Sequence, residues 1–166
     1  MDANNPRTTP VWQQVVALAG WLVLCFAAAG VGSSFTLPQI GTWYAELNKP
    51  SFNPPNWIFG PVWSTLYLMM AIAAWLTWRK SGWSSAPFAL ILFCIQLLLN
   101  TAWSVLFFGL QNPVAAAFDI VLLWGAILAT IIAFWPHSRV AALLLVPYLA
   151  WVSFASILNF TIVALN

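Results

Sequence analysis

Charge is what this chain lacks, and the places where it is missing limit what the chain can become. The formally charged side chains are Asp2, Arg7, Glu46, Lys49, Arg79, Lys80, Asp119 and Arg139, leaving uncharged stretches at 8–45, 50–78, 81–118, 120–138 and 140–166. A helix crosses a bilayer with about 20 mostly apolar residues, so every stretch except 120–138 alone exceeds that length, and Asp119 is the one charge inside a run. The chain is 63% hydrophobic and 5% charged, where a soluble domain carries about 25% charged residues. A soluble globule of 166 residues has no interior for so much apolar surface. The reading is a single domain over 1–166, an all-α integral membrane protein built as a bundle of five transmembrane helices. The lack of period-two polar alternation in the runs disfavours a β-barrel.

The spans are predicted at 11–33, 57–79, 87–109, 113–135 and 140–162, with a lid loop over 34–56. Thr9-Pro10, Ser85 with Pro87, and Asn112-Pro113 each pair a capping side chain with a proline, whose missing N–H costs nothing in a first turn. Ser138 is the expected cap of the fifth span, Pro136 stops the fourth, and Arg79-Lys80 suit the C-terminal dipole of the second. Arg7, Arg79, Lys80 and Arg139 fall on one side and Lys49 alone on the other. The basic side faces the cytoplasm, so the N-terminus is expected inside and the C-terminus outside, with a bacterial membrane as the expected location.

Other classes drop out quickly. A net charge of +2 is too small for a nucleic-acid partner. Cys25 and Cys94 lie within apolar runs and read as small buried hydrophobes rather than as a disulfide or metal pair. Ala27–Gly30 resembles a small-residue cleavage site; the apolar run is too long for a signal peptide and its basic lead is a single Arg7, so a retained span is the first reading and cleavage the lesser alternative. His137 has no helical ligand companion, so no metal site is expected. No glycine-rich phosphate loop or nucleophile elbow is present, and a lone Asp119 does not make a proton relay.

Polar groups within the spans are costly in hydrocarbon and turn toward the bundle interior. Asp119, Trp103 and Trp63 each lie about 9 Å from the loop-side end of their helix and Asn100 about 13 Å. Gln96 is closer to the middle, and Asn159 is shallower. Helical spacing collects Gln96, Asn100, Trp103 and Phe107 on one stripe, Trp63, Tyr67 and Met70 on a second, and Tyr148, Trp151, Ala155 and Leu158 on a third. Helix-bridging glue accounts for any one of these residues as well as ligand contact does; a pocket accounts better for the set. Of the tryptophans, Trp12, Trp57, Trp75, Trp78, Trp83 and Trp135 read as an interfacial belt. Trp21, Trp63, Trp103, Trp124 and Trp151 lie deeper, with core packing the plainer reading for Trp21 and Trp124. A pocket of Trp, Tyr, Asn and one Asp suits a flat, largely apolar ligand with a few polar groups.

The segments WYAELNKPSFNPPNWIFGPVWSTLY (43–67), QLLLNTAWSVLFF (96–108), AAAFDIVLLW (115–124) and VPYLAWVSFASILNF (146–160) resemble the translocator protein family, the tryptophan-rich sensory proteins or peripheral-type benzodiazepine receptors. The resemblance implies a five-helix bundle, usually a homodimer, with a pocket beneath the first loop. It implies binding of porphyrins such as protoporphyrin IX and of benzodiazepine-type ligands, with no obligatory cofactor, and cholesterol in some members. The family's pocket positions carry over to Tyr44, Pro54, Trp63, Tyr67, Asn100, Trp103, Asp119, Trp151, Ala155 and Leu158. It also implies a candidate light-dependent breakdown of bound porphyrin through Trp63 and Trp151. Two features depart from the family. The C-terminal ILNFTIVALN lacks the Tyr and basic residue of the cholesterol motif, and the third span lacks a Gly-xxx-Gly face.

Three functions are therefore expected in descending order. The first is a porphyrin receptor or sensor, oriented on its ligand by Asn100 and Trp103 and lidded by Tyr44 and the rigid Pro54-Pro55 ramp. The second is photo-oxidative porphyrin degradation. The third is a porphyrin or lipid transporter, which the lack of a visible internal repeat disfavours.

Overall fold

The computed structural model describes residues 10–166 and, among them, consists of helices and connecting turns without strands. The elements are α1 (Val11–Ile40), α2 (Trp43–Glu46), α3 (Asn56–Ser85), α4 (Pro87–Ser104) with a π-helical extension (Val105–Gly109), α5 (Pro113–Phe134), α6 (Arg139–Leu144) and α7 (Val146–Leu165). Five stretches are long and apolar enough to cross a membrane: α1, α3, α4 with its extension, α5, and α6 with α7.

The ends of the spans depart from expectation where side chains mend the backbone. α1 continues past residue 33 to Ile40 although it contains Pro38. Ser34 Oγ donates to the Val31 carbonyl at 2.7 Å and Thr36 Oγ1 to the Gly32 carbonyl at 2.9 Å. Such back-bonding lets polar residues remain helical where the chain has no water to turn to. The connection to α3 is thereby shortened to residues 41–55 and carries α2 within it. α3 does not close at Arg79-Lys80 either. It breaks at Gly82, where φ 64 and ψ 178 place the backbone in a region that L side chains avoid.

Asn112 and Ser138 cap as expected, accepting from Ala115 N at 3.0 Å and Ala141 N at 3.3 Å. Ser85 does not. It ends α3, and Ala86 stands before Pro87 without a side-chain cap. Thr9 lies outside the described residues.

α1 packs against α3 and α4, α4 along α5, and α5 against α7. The fifth span is the one that opens the bundle. It is interrupted at Leu145, two residues before Pro147, whose missing N–H and ring do not fit a continuous helix. α6 packs against α3, whereas α7 leans onto α5. Past the break, the loop-side part of α3 meets the first turns of α7 through aromatic rings instead: Phe59 to Trp151 at 5.9 Å and Trp63 to Tyr148 at 6.1 Å. The closed half of the bundle is filled by a core that includes Trp21, Cys25, Met70, Leu90, Phe93, Ile127 and Phe134. Cys25 and Cys94 are free thiols.

Candidate functional site: an aromatic cavity in the open half of the bundle

The divergence of α3 and α7 leaves a cavity of about 380 Å³, walled by α1, α3, α4, its π-helical extension, α5 and α7, with Tyr44 of α2 at the loop side. Volumes of about 300–1,000 Å³ are usual for small-molecule sites. Eight of the residues singled out from the sequence lie on its wall: Tyr44, Trp63, Tyr67, Asn100, Trp103, Trp151, Ala155 and Leu158. Pro54 and Asp119 do not. Pro54 is half-buried in the loop, where its carbonyl accepts from Asn53 Nδ2. Asp119 is buried on α5, but Ile120 and Leu123 supply that helix's share of the wall. Depth along a helix gave Asp119 the right height; one residue of rotation, about 100°, took it off the cavity.

The polar groups are largely committed within the protein. The Tyr67 hydroxyl donates to Asn100 Oδ1, and Asn100 Nδ2 donates to the Tyr148 hydroxyl at 3.1 Å. Trp103 Nε1 donates to Asn159 Oδ1 at 3.0 Å, and Asn159 Nδ2 to the Pro113 carbonyl at 2.9 Å. An indole has a single N–H, so Trp103 cannot orient a ligand through it while this bond stands. One face of Trp103 is also taken, by Phe107 at 4.9 Å and an interplanar angle of 21°. Trp151 Nε1, by contrast, is buried without an acceptor among the described residues, and its ring touches Phe59 and Phe154.

The π-helical turn adds Phe108, which helical spacing did not anticipate, to Phe107, which it did. An extra residue per turn shifts the register, and both Phe107 and Phe108 end up buried at the cavity. The close approach of α1 depends on Gly109, where an added Cβ would stand 2.8 Å from a Phe35 ring atom. α1 itself was missed as a wall. It contributes Phe26, Ala29, Ser33, Thr36 and Leu37, small or aliphatic residues for the most part, which carry no chemical flag in a sequence. Facing them, Trp57, Gly60 and Ser64 of α3 line the cavity yet remain exposed, as do Phe26, Ser33 and Leu37. The cavity therefore opens sideways between α1 and α3, toward lipid.

On the loop side, side chains tie the 41–55 segment to itself and to the end of α7. Tyr44 is buried against Phe107 and Phe108 and donates to Asn53 Oδ1 at 2.9 Å. Burial raises its pKa above the ordinary phenol value, which keeps it neutral and able to donate. Lys49 Nζ donates to the carbonyls of Tyr44, Ala45 and Leu47 at 2.6, 3.1 and 2.8 Å. It thus ties off the C-terminal end of α2. Asn48 and Asn166 interlock: Asn48 N donates to Asn166 Oδ1 and Asn166 Nδ2 to the Asn48 carbonyl, each at 3.0 Å.

Comparison with known proteins gives this arrangement a context. The TspO/MBR family model matches residues 9–165. The chain belongs to the TspO/MBR family. It is 49% identical over 156 residues to "Tryptophan-rich protein TspO" of Chlorobaculum tepidum, covering 93% of this chain and 98% of that protein. It is 43% identical over 134 residues to the human "Translocator protein", 80% of this chain and 79% of that one. "Tryptophan-rich sensory protein" of Cereibacter sphaeroides is 36% identical over 146 residues, with 88% and 89% covered. Like its TspO/MBR relatives, the protein is a multi-pass integral membrane protein. Among the described residues no group of His, Cys, Asp and Glu could hold a metal ion.

Proposed function

We propose that this TspO/MBR protein is a membrane receptor or sensor that binds a flat, largely apolar ligand of the tetrapyrrole class in the aromatic cavity. The observation that carries the reading is the wall itself. Trp63, Trp103, Trp151, Phe59 and Phe107 surround one space, and most of the amide and hydroxyl groups beside them are bonded within the protein. Such a site gains affinity from ring faces and excluded water rather than from many hydrogen bonds. The names of its relatives, translocator and sensory protein, agree with a receptor or sensor role. The opening between α1 and α3 suits a ligand that arrives dissolved in the bilayer.

The test is a titration with protoporphyrin IX followed by tryptophan quenching in detergent. Each aromatic contact contributes about 0.5–1.5 kcal/mol beyond its buried area, so the double variant Trp63→Ala, Trp151→Ala should bind about tenfold more weakly or worse. Trp12→Ala, on the exposed start of α1, should bind as the parent does. Unchanged affinity in the double variant would overturn the assignment.

A second reading is supported by the same two indoles. Trp63 and Trp151 both stand on the cavity wall, where an indole can give one electron to the photoexcited porphyrin; the porphyrin passes that electron to dioxygen, forming superoxide, and the indole radical takes an electron back from the porphyrin, so the porphyrin is oxidised and dioxygen reduced. Illumination should then bleach the Soret band faster in the parent than in Trp63→Phe, Trp151→Phe. Equal rates would eliminate this activity and leave binding untouched.

A further inference from the structure

The opposite end of the bundle carries a second concavity that the ligand cavity does not explain. A groove of about 480 Å³ runs between the first turns of α4 and the last turns of α5. Its apolar lining is Phe88, Leu92, Ala129, Ile132, Ala133 and Pro136, and its polar end is formed by Ser85 and His137. Phe88 and Ile132 are exposed along the rims. A lipid-facing groove is filled by an acyl chain in any bilayer; what marks this one is the charge placed beside it. Ser81 Oγ and His137 Nδ1 are hydrogen-bonded at 2.9 Å. That bond holds the turn carrying Arg79 and Lys80 next to the turn carrying Arg139.

All three cations are exposed, and none forms an ion pair among the described residues. The two guanidinium groups lie against indoles, Arg79 over Trp75 at 5.2 Å and Arg139 over Trp135 at 5.8 Å. Stacking of this kind fixes the direction of the arginine fork and leaves its N–H groups free. No carboxylate among the described residues belongs to these turns: Glu46 lies in the loop at the other end and Asp119 in the loop-side half of α5. A cluster of this sign, with no carboxylate beside it among the described residues, adjoins the polar end of an apolar groove and is complementary to a phosphate ester with acyl chains attached.

We propose that this groove is a binding site for an anionic phospholipid, with one acyl chain along α4 and α5 and the headgroup phosphate held by Arg139 and the Arg79-Lys80 pair. The site is independent of the aromatic cavity and of the ligand assigned to it.

The experiment uses the full chain, purified in a neutral detergent and incubated with equal amounts of phosphatidylglycerol and phosphatidylcholine, with retained lipid counted by native mass spectrometry. The parent should retain phosphatidylglycerol about tenfold over phosphatidylcholine. The triple variant Arg79→Gln, Lys80→Gln, Arg139→Gln changes exposed side chains only, and it should lose that preference. Ala133→Leu, which narrows the groove and keeps the charges, should lower retention of both lipids; circular dichroism checks that each variant remains helical. Glycerol 3-phosphate, which has the phosphate and no chains, should not compete. The proposal fails if the triple variant keeps the preference, if phosphatidylglycerol is retained no better than phosphatidylcholine, or if glycerol 3-phosphate displaces the lipid.

Discussion

Asn100 stands between two phenols, accepting from Tyr67 and donating to Tyr148, and this changes what each residue does. The sequence left ligand contact and helix-bridging glue as equal readings for such a residue; the hydrogen bonds show the glue, joining α3, α4 and α7. Tyr67 still presents its ring to the cavity, so both roles meet in one side chain and a substitution can separate them. Tyr67→Phe removes the hydroxyl and keeps the ring. Interhelical hydrogen bonds in membranes contribute about 0.6 kcal/mol on average and up to about 1.7. The variant should therefore lose about 1 kcal/mol of stability in a detergent denaturation series while its protoporphyrin IX affinity stays within about threefold. A large loss of affinity at unchanged stability would instead place the hydroxyl on the ligand. Trp124 teaches a related lesson. Its depth suggested core packing, yet it is 37% exposed and its N–H is satisfied by Ser153 Oγ at 2.8 Å. In a bilayer a buried position along the helix axis is compatible with a lipid-facing ring.

At the scale of elements, the cavity follows from local departures from ideal helix. The interruption at Leu145 before Pro147 sends α7 onto α5, and the π-helical turn brings Phe108 inward beside Phe107. Pro147→Ala restores the missing N–H and removes the ring clash. It should let α6 and α7 join and draw α7 toward α3. The expected outcome is weaker protoporphyrin IX binding with thermal stability equal to or above that of the parent. Parallel loss of both would mean that the break is needed for folding rather than for the space it creates. The loop 41–55 is likewise less of a free flap than its prolines alone imply. Lys49 closes α2 from within, and the Asn48–Asn166 pair fastens the loop to the end of α7. The Pro54-Pro55 ramp, once expected to reach the ligand, serves as the stiff approach to α3, with Pro55 at its N-cap position in extended geometry (φ −56, ψ 139).

For the whole molecule, the charge asymmetry survives folding. Arg79, Lys80 and Arg139 collect at the end where α3 meets α6, while Lys49, the lone cation at the other end, is consumed by backbone carbonyls. The orientation expected from the sequence, with Arg79, Lys80 and Arg139 toward the cytoplasm, rests among the described residues on those three cations. Ser51 and Ser84 are exposed at opposite ends of the bundle and can report that orientation. On a background with Cys25→Ala and Cys94→Ala, Ser51→Cys should react with an impermeant maleimide in intact cells, and Ser84→Cys should react only after lysis. The reverse pattern would invert the topology.

What the sequence determined by itself is the number, order and approximate extent of the spans, because crossing a bilayer is a demand each segment meets alone, through apolar length and internally satisfied backbone. It also marked the aromatic and amide stripes of α3, α4 and α7, since those residues are conspicuous in hydrocarbon. The tertiary structure decided which of them share a cavity. Whether Trp103 has a free N–H, whether Asp119 or its neighbour Ile120 meets the space, and whether α1 forms a wall depend on rotations and partners contributed by other helices. Periodicity along one segment fixes height and relative face, but the direction of that face, and the hydrogen bonds left over for a ligand, are set only when the helices pack.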